Sequence, residues 1–220
     1  MSDIPFRVIK SKRRSMAIQV LRDGSVEVKA PNYIPKFLIT SFVNSKKDWI
    51  NKRVNYVLKN KIEEKKFQDG EKFFYLGETY FLKLGDYTEV KIHGQNFLFP
   101  IALASRGKIV MEKWYIKQAK EVIRDQVDYC AKKMNVTYKS ISFSDTKSKW
   151  GSCTHDNRLQ FNWRLVLAPM IVLRYVVIHE LAHTQNKNHS SDFWRMVKNH
   201  NPSYKQQIKW LKIHGENLHI

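Results

Sequence analysis

Acidic residues are scarce in this chain, and so is cysteine. Two cysteines in 220 residues, Cys130 and Cys153, follow no spacing pattern. That excludes a disulfide framework and a cysteine-rich metal site. Long apolar runs are missing too. The most apolar stretch, residues 165–178, is broken by Pro169 and Arg174 and is too short to cross a bilayer. The opening residues, MSDIPFRVIKSKRR, lack the apolar core of a signal peptide. Neither an internal repeat nor a low-complexity linker is present. These absences lead to the expectation of a cytoplasmic protein in a reducing compartment, with no membrane partner.

The shortage of acid leaves a large excess of base: 39 Lys and Arg against 20 Asp and Glu, a formal net charge of +19. Residues 1–70 hold 16 basic and 7 acidic side chains, and residues 138–220 hold 12 and 5. The middle, 71–137, is nearer balance with 11 and 8. Such a surface suits a polyanion, nucleic acid included, and equally describes a lysine-rich solvated exterior. With 43% hydrophobic and 13% aromatic residues the chain is expected to fold around a substantial core.

Hydropathy patterning places the elements. Residues 16–21 and 25–30 read as strands around Arg22-Asp23-Gly24, an Asp-Gly hairpin signal. Pro35 opens a helix reaching residue 66, with Phe42, Val43, Trp49, Ile50, Val54 and Val57 on one stripe and Asn60 to Lys66 as its solvated end. Short strands follow at 71–76, 78–84, 89–93 and 95–100, with a tight turn at Leu76-Gly77-Glu78. A long amphipathic helix spans 109–134. Strands at 140–145 and 158–167 then flank a loop, Lys149 to Cys153, and Pro169 introduces a helix through His183, with a shorter helix from Ser191. The expected fold is α+β: a basic N-terminal α+β half, a long linking helix, and a compact C-terminal α+β half that carries the histidines. The division falls after residue 107, giving regions 1–107 and 108–220, or the two pack as one continuous unit.

The C-terminal half carries the densest chemistry. His179-Glu180-Leu181-Ala182-His183 reads HExxH. On a helix, residues i and i+4 share a face one turn apart, so both imidazoles reach one ion. The helix is apolar nearly all round and therefore buried, and buried imidazoles need partners that offset their desolvation. A zinc ion supplies one partner for both. Glu180 points a quarter turn away, free to act as general base on a zinc-bound water. A thermolysin-like third ligand is poorly supported, because the sole glutamate downstream is Glu216. His189, six residues after His183, keeps the spacing of HExxHxxGxxH enzymes. Asn186 stands where those enzymes have glycine, as the residue next most tolerant of a left-handed turn. With 8 histidines and 10 glutamates in the chain, chance yields HExxH plus this third histidine roughly once in two thousand such sequences.

At these residues the chain resembles the YgjP-like metallopeptidase family, and more distantly the SprT-like zinc proteases. The likeness runs through Arg14-Ser15-Met16, Tyr75-Leu76-Gly77, Trp150-Gly151-Ser152-Cys153 and Phe161-Asn162-Trp163-Arg164-Leu165. It rests most heavily on the last two of these together with the HELAH segment followed by Asn188-His189-Ser190 and Phe193-Trp194. The resemblance implies zinc held by His179, His183 and His189, Glu180 as catalytic base, and a peptide or protein substrate. Two rival functions stay open: a metal-dependent phosphohydrolase acting on nucleotides, and a nucleic-acid-binding module with a structural zinc. Around the motif, residues 150–153 form a strand edge for an extended peptide or a packed tight turn. Cys153 is a candidate fourth ligand, Asn162 and Asp192 are candidate supports of the histidines, and Tyr175 is a candidate core residue. Phe193 and Trp194 are expected to anchor the last helix.

Overall fold

The computed structural model describes residues 4–21, 23–59, 65–146 and 148–220, with the side chain of Lys59 left aside. Its contacts divide the chain into two compact units, Met1–Glu63 and Glu64–Ile220. The sequence leads to the expectation of a division after residue 107 or of one continuous unit. The strands between 72 and 100 instead belong with the second unit, because their aromatic side chains need a helix to cover them.

The first unit is a three-stranded sheet with two helices. Strands β1 (Phe6–Ser11) and β2 (Ala17–Val20) flank β3 (Val26–Pro31), β1 in parallel and β2 antiparallel. The β2–β3 turn is held by Asp23, whose Oδ1 accepts from the Ser25 backbone N–H at 2.9 Å and from the Ser25 hydroxyl at 2.6 Å. Arg22, part of the expected turn, lies outside the described residues, as do residues 60–64 of the expected solvated helix end. The single long helix expected here is two, α1 (Lys36–Ser45) and α2 (Lys47–Lys59), broken at Lys46. The apolar stripe does not survive the break whole: Val43 and Ile50 are buried with Val26, Val28, Ala30 and Ile39, while Trp49 is half exposed.

The second unit starts with a four-stranded sheet ordered β4-β5-β7-β6. Its strands are β4 (Lys72–Tyr75), β5 (Glu78–Gly85), β6 (Lys91–His93) and β7 (Asn96–Pro100). The long helix α3 (Gly107–Met134) buries Met111, Tyr115, Ala119, Ile123, Val127 and Ala131, a stride of four that keeps one face inward. Trp114 meets Phe97 edge-on at 4.9 Å, and the Tyr115 hydroxyl donates to the Phe74 carbonyl at 2.7 Å. These contacts join the sheet to α3. Asn135, left-handed at φ 52°, caps the helix.

A second sheet follows, ordered β8-β10-β9, from β8 (Ser140–Ser144), β9 (Gly151–Cys153) and β10 (Arg158–Asn162). The stretch 158–167 is strand only as far as Asn162. There the Asn162 Oδ1 accepts from the Arg164 N–H and starts a 3-10 turn, Trp163–Leu167. Helices α4 (Met170–Ala182), α5 (Ser191–His200) and α6 (Tyr204–His214) complete the unit. The turn between β4 and β5 sets where α4 begins. Leu76 and Gly77 both have positive φ, the Leu76 N–H donates to the Val166 carbonyl, and a side chain at Gly77 would lie 2.7 Å from Pro169 Cα. Among the described residues no helix is long and apolar enough to cross a membrane.

Candidate metal centre

The sequence between Pro169 and His183 forms a helix because its apolar side chains are surrounded on all sides by the core. Val172, Leu173, Val176, Val177, Ile178 and Leu181 are all buried. Pro169, extended at φ −54° and ψ 143°, takes the N-cap position, where a missing N–H costs nothing. His179 and Glu180 sit in the last helical turn and His183 is the C-cap residue. The chain then leaves α4 through Thr184, Gln185 and Asn186, whose N–H groups donate to Leu181 and Ala182 carbonyls.

This exit differs from the expected one. Asn186 is not among the residues with positive φ, so no left-handed turn replaces the glycine of the strict pattern. Asn186 contributes its carbonyl instead, which lies 2.9 Å from His183 Nδ1. An Nδ1–H donating there leaves Nε2 of His183 with its lone pair free. Ser190 follows directly on His189 and caps α5, its hydroxyl accepting from the Phe193 N–H. The third histidine is thus held between two helix ends.

The three imidazoles converge. Their candidate ligand atoms lie within 4.8 Å of one another, and His179 Nε2 is 3.1 Å from His189 Nε2. Two nitrogens on one tetrahedral zinc would sit about 3.3 Å apart, given ligand bonds near 2.0–2.1 Å. The spacing therefore suits a single small ion. Burial, with help from the other two histidines, holds the His179 imidazole down at about 3, and burial also lowers His183. Both are neutral at ordinary pH, the form a ligand requires. Tyr175 Oη lies 3.4 Å from His179 Nδ1, so this tyrosine is both core and neighbour of the site.

Phe193 lies against all three rings, with centroids 4.9, 4.5 and 4.8 Å from His179, His183 and His189. It is fully buried and makes an apolar floor to the triad.

Glu180 is buried, and burial raises its carboxyl to about 8 against a small opposing pull from Lys149. It faces strand β9: a side chain at Gly151 would stand 2.7 Å from Glu180 Oε1. Only a glycine lets the strand pass this close. The loop expected at 149–153 is therefore partly strand, and β9 is the outer strand of its sheet, beside the carboxylate.

Other expected supports lie elsewhere. Among the described residues Cys153 does not join the cluster; its thiol contacts the Thr154 carbonyl at 3.4 Å and Lys187 Nζ at 4.0 Å. Asn162 Nδ2 donates to the Thr146 carbonyl and pins the end of β10, and Asp192 pairs with Arg195 at 2.7 Å. Neither touches a histidine. Trp194 does more than anchor α5, for it stacks on His189 at 5.6 Å and 22°. Tyr204 stacks in turn on Trp194, a contact the sequence reading missed with the whole of α6. The repeat Tyr204, Ile208, Leu211 was the available signal, one apolar residue per turn.

A family model described as YgjP-like, metallopeptidase domain matches residues 14–214. Part of the chain is similar to the crystal structure of the metallopeptidase zymogen of Pyrococcus abyssi abylysin. Identity there is 18%, covering 41% of this chain and 92% of that one, with a TM-score of 0.38. It is also similar to the metallopeptidase zymogen of Methanocaldococcus jannaschii jannalysin, at 25% identity, 43% and 96% coverage and a TM-score of 0.38. No curated protein matches the chain.

Proposed function

The chain belongs to the YgjP-like metallopeptidase family, and from that premise we propose that it is a zinc-dependent peptidase in which His179, His183 and His189 hold the ion and Glu180 moves the proton. One observation carries this reading: three imidazoles, two of them kept neutral by burial, converge beside a buried carboxylate borne on α4. An all-imidazole set suits zinc, and three protein ligands leave a fourth position for chemistry. When bound, the ion supplies a Lewis acid that polarises the scissile carbonyl and acidifies water.

The rest falls to the chain's own residues. Glu180 Oε1 or Oε2 accepts a proton from the attacking water and delivers it to the leaving amine nitrogen. Its raised proton affinity matches both halves of that transfer, because a group poised near neutrality can take a proton and give it back. Among the described residues strand β9 lies at an edge of its sheet and there offers backbone groups to an extended peptide, while the missing side chain of Gly151 lets the strand lie close to the carboxylate. Phe193 keeps water from the inner side of the triad.

Glu180→Gln tests the assignment. The amide keeps the shape but accepts no proton at neutral pH. The variant is expected to fold and bind zinc as wild type does, and to lose peptide hydrolysis by about a hundred- to ten-thousandfold. Unchanged turnover in zinc-loaded Glu180→Gln would refute the role given to this carboxylate.

A further inference from the structure

The three histidines are not held alike. His179 rides on α4 and has Tyr175 Oη beside its Nδ1 at 3.4 Å, and His183 has the Asn186 carbonyl at 2.9 Å. Outer partners of this kind fix the ring plane and the tautomer of a ligand histidine. His189 sits on the loop before α5 and is exposed. Among the described residues no hydrogen-bond acceptor holds its Nδ1. A loop histidine without such a partner can swing about two side-chain torsions, and each swing moves Nε2 off the ion.

Aromatic rings take the place of the absent acceptor. Trp194 lies nearly parallel to the His189 imidazole, at 5.6 Å and 22°, while Phe193 meets the same ring edge-on at 4.8 Å and 90°. One ring fixes the plane of the imidazole and the other blocks its rotation. Tyr204, at the start of α6, stacks on Trp194 at 5.3 Å and 22°. Tyr204 and His189 make no ring contact of their own, so the order of the stack is His189, Trp194, Tyr204. α6 also packs on α4, the helix bearing the other two histidines.

We propose that Trp194 and Tyr204 form a stacked brace that orients His189, and that through it α6 sets the affinity of the triad for its ion. Both are positioning residues, acting through a ligand rather than on substrate. The proposal rests on the zinc reading given above.

The test is zinc affinity, read by competition with a chromogenic chelator, alongside the melting temperature of the metal-free protein. Trp194→Leu removes the ring stacked on His189, together with its edge contact to His179 at 5.9 Å, and is expected to weaken zinc binding by about 10- to 100-fold, the usual worth of an outer partner. Tyr204→Leu removes the backing ring, and a loss of roughly three- to tenfold is expected. Tyr204→Phe keeps the ring and is expected to keep wild-type affinity. Trp210→Leu is the control for loosened packing, since Trp210 lies on α6 and its ring touches His214, at 4.8 Å, and no member of the brace. It is expected to lower the melting temperature of the metal-free protein while leaving zinc affinity alone.

Wild-type affinity in Tyr204→Leu overturns the brace, as does an equal loss of affinity in Trp210→Leu. A wild-type protein that takes up no zinc overturns the metal reading and the brace together. Zinc uptake by wild type with unchanged variants overturns the brace alone.

Discussion

At the scale of single residues, burial in the metal-free chain shifts the titrating groups of the site in opposite directions. His179 is held at about 3 and Glu180 at about 8, both chiefly by burial. The two shifts have opposite consequences for the metal-free protein. A carboxyl raised from 4.5 stabilises the fold fully below pH 4.5, and that contribution is lost as pH rises toward 8. An imidazole lowered from 6.5 stabilises it fully above pH 6.5, and that contribution is lost as pH falls toward 3. Between pH 4.5 and 6.5 the two slopes cancel, since folded and unfolded chains bind the same number of protons at these two groups. His183, also lowered by burial, tilts this window upward, so the metal-free chain is expected to be most stable near pH 6.5 and to weaken on both sides, by about 1.4 kcal/mol per pH unit for each group that titrates. Urea unfolding at stepped pH in the presence of chelator measures this; stability that climbs steadily from pH 6.5 to 8 would count against a buried Glu180.

His189 belongs to the same scale. It is exposed and contributes little to the core, so His189→Ala is expected to fold normally. Zinc content should fall from about one ion per chain to a small fraction of that, because two imidazoles remain where three are needed. Metal analysis after dialysis decides it, and full occupancy in the variant would remove His189 from the ligand set.

At the scale of elements, strand β9 and helix α4 meet at one point. Gly151 has no Cβ, and a Cβ there would come within 2.6 Å of Glu180 Cγ as well as 2.7 Å of Oε1. An added methyl must therefore displace the strand or the carboxylate. Gly151→Ala is expected to lower turnover by at least about tenfold, since a displacement near 1 Å already costs that much or more in an aligned site. Zinc content should stay at the wild-type level, because the histidines are not touched. Wild-type turnover in Gly151→Ala would show that strand and carboxylate are less closely apposed than described. Here the sequence showed less than the structure does. The 149–153 segment reads as a loop whose residues 150–153 form either a strand edge or a tight turn, because three strand residues carry too little alternation to decide between them. The break at Lys46 was hidden for a related reason: the apolar spacing runs on through it.

At the scale of the whole molecule, the charge excess is the property without an assigned partner. Residues 1–70 carry a net +9. If this surface holds nucleic acid, affinity should fall steeply with salt as phosphate contacts release counterions, and reversing Lys12, Arg13 and Arg14 should weaken binding further. Titration of a labelled duplex at 50, 100 and 200 mM salt reads both effects, and a flat response would leave the charge as a solvated exterior.

The sequence by itself determined the α+β class, the extents of α3 and α4, and the histidine constellation. Each of these rests on local periodicity: a stride of four on α3, and the i, i+4 spacing of His179 and His183. Only the tertiary structure decided which residues stand behind the histidines. Tyr175, Asn186, Trp194 and Tyr204 reach the site through the docking of α4, α5 and α6. Asn162 and Asp192, the supports expected from the sequence, turn away to cap a turn and pair with an arginine. The division at residue 63 was also a tertiary matter, because it depends on Phe73, Phe97 and Phe99 packing into the same core as α3. Local patterns say which face of an element is apolar. Which other face covers it is settled by long-range packing, and no single stretch of sequence records that.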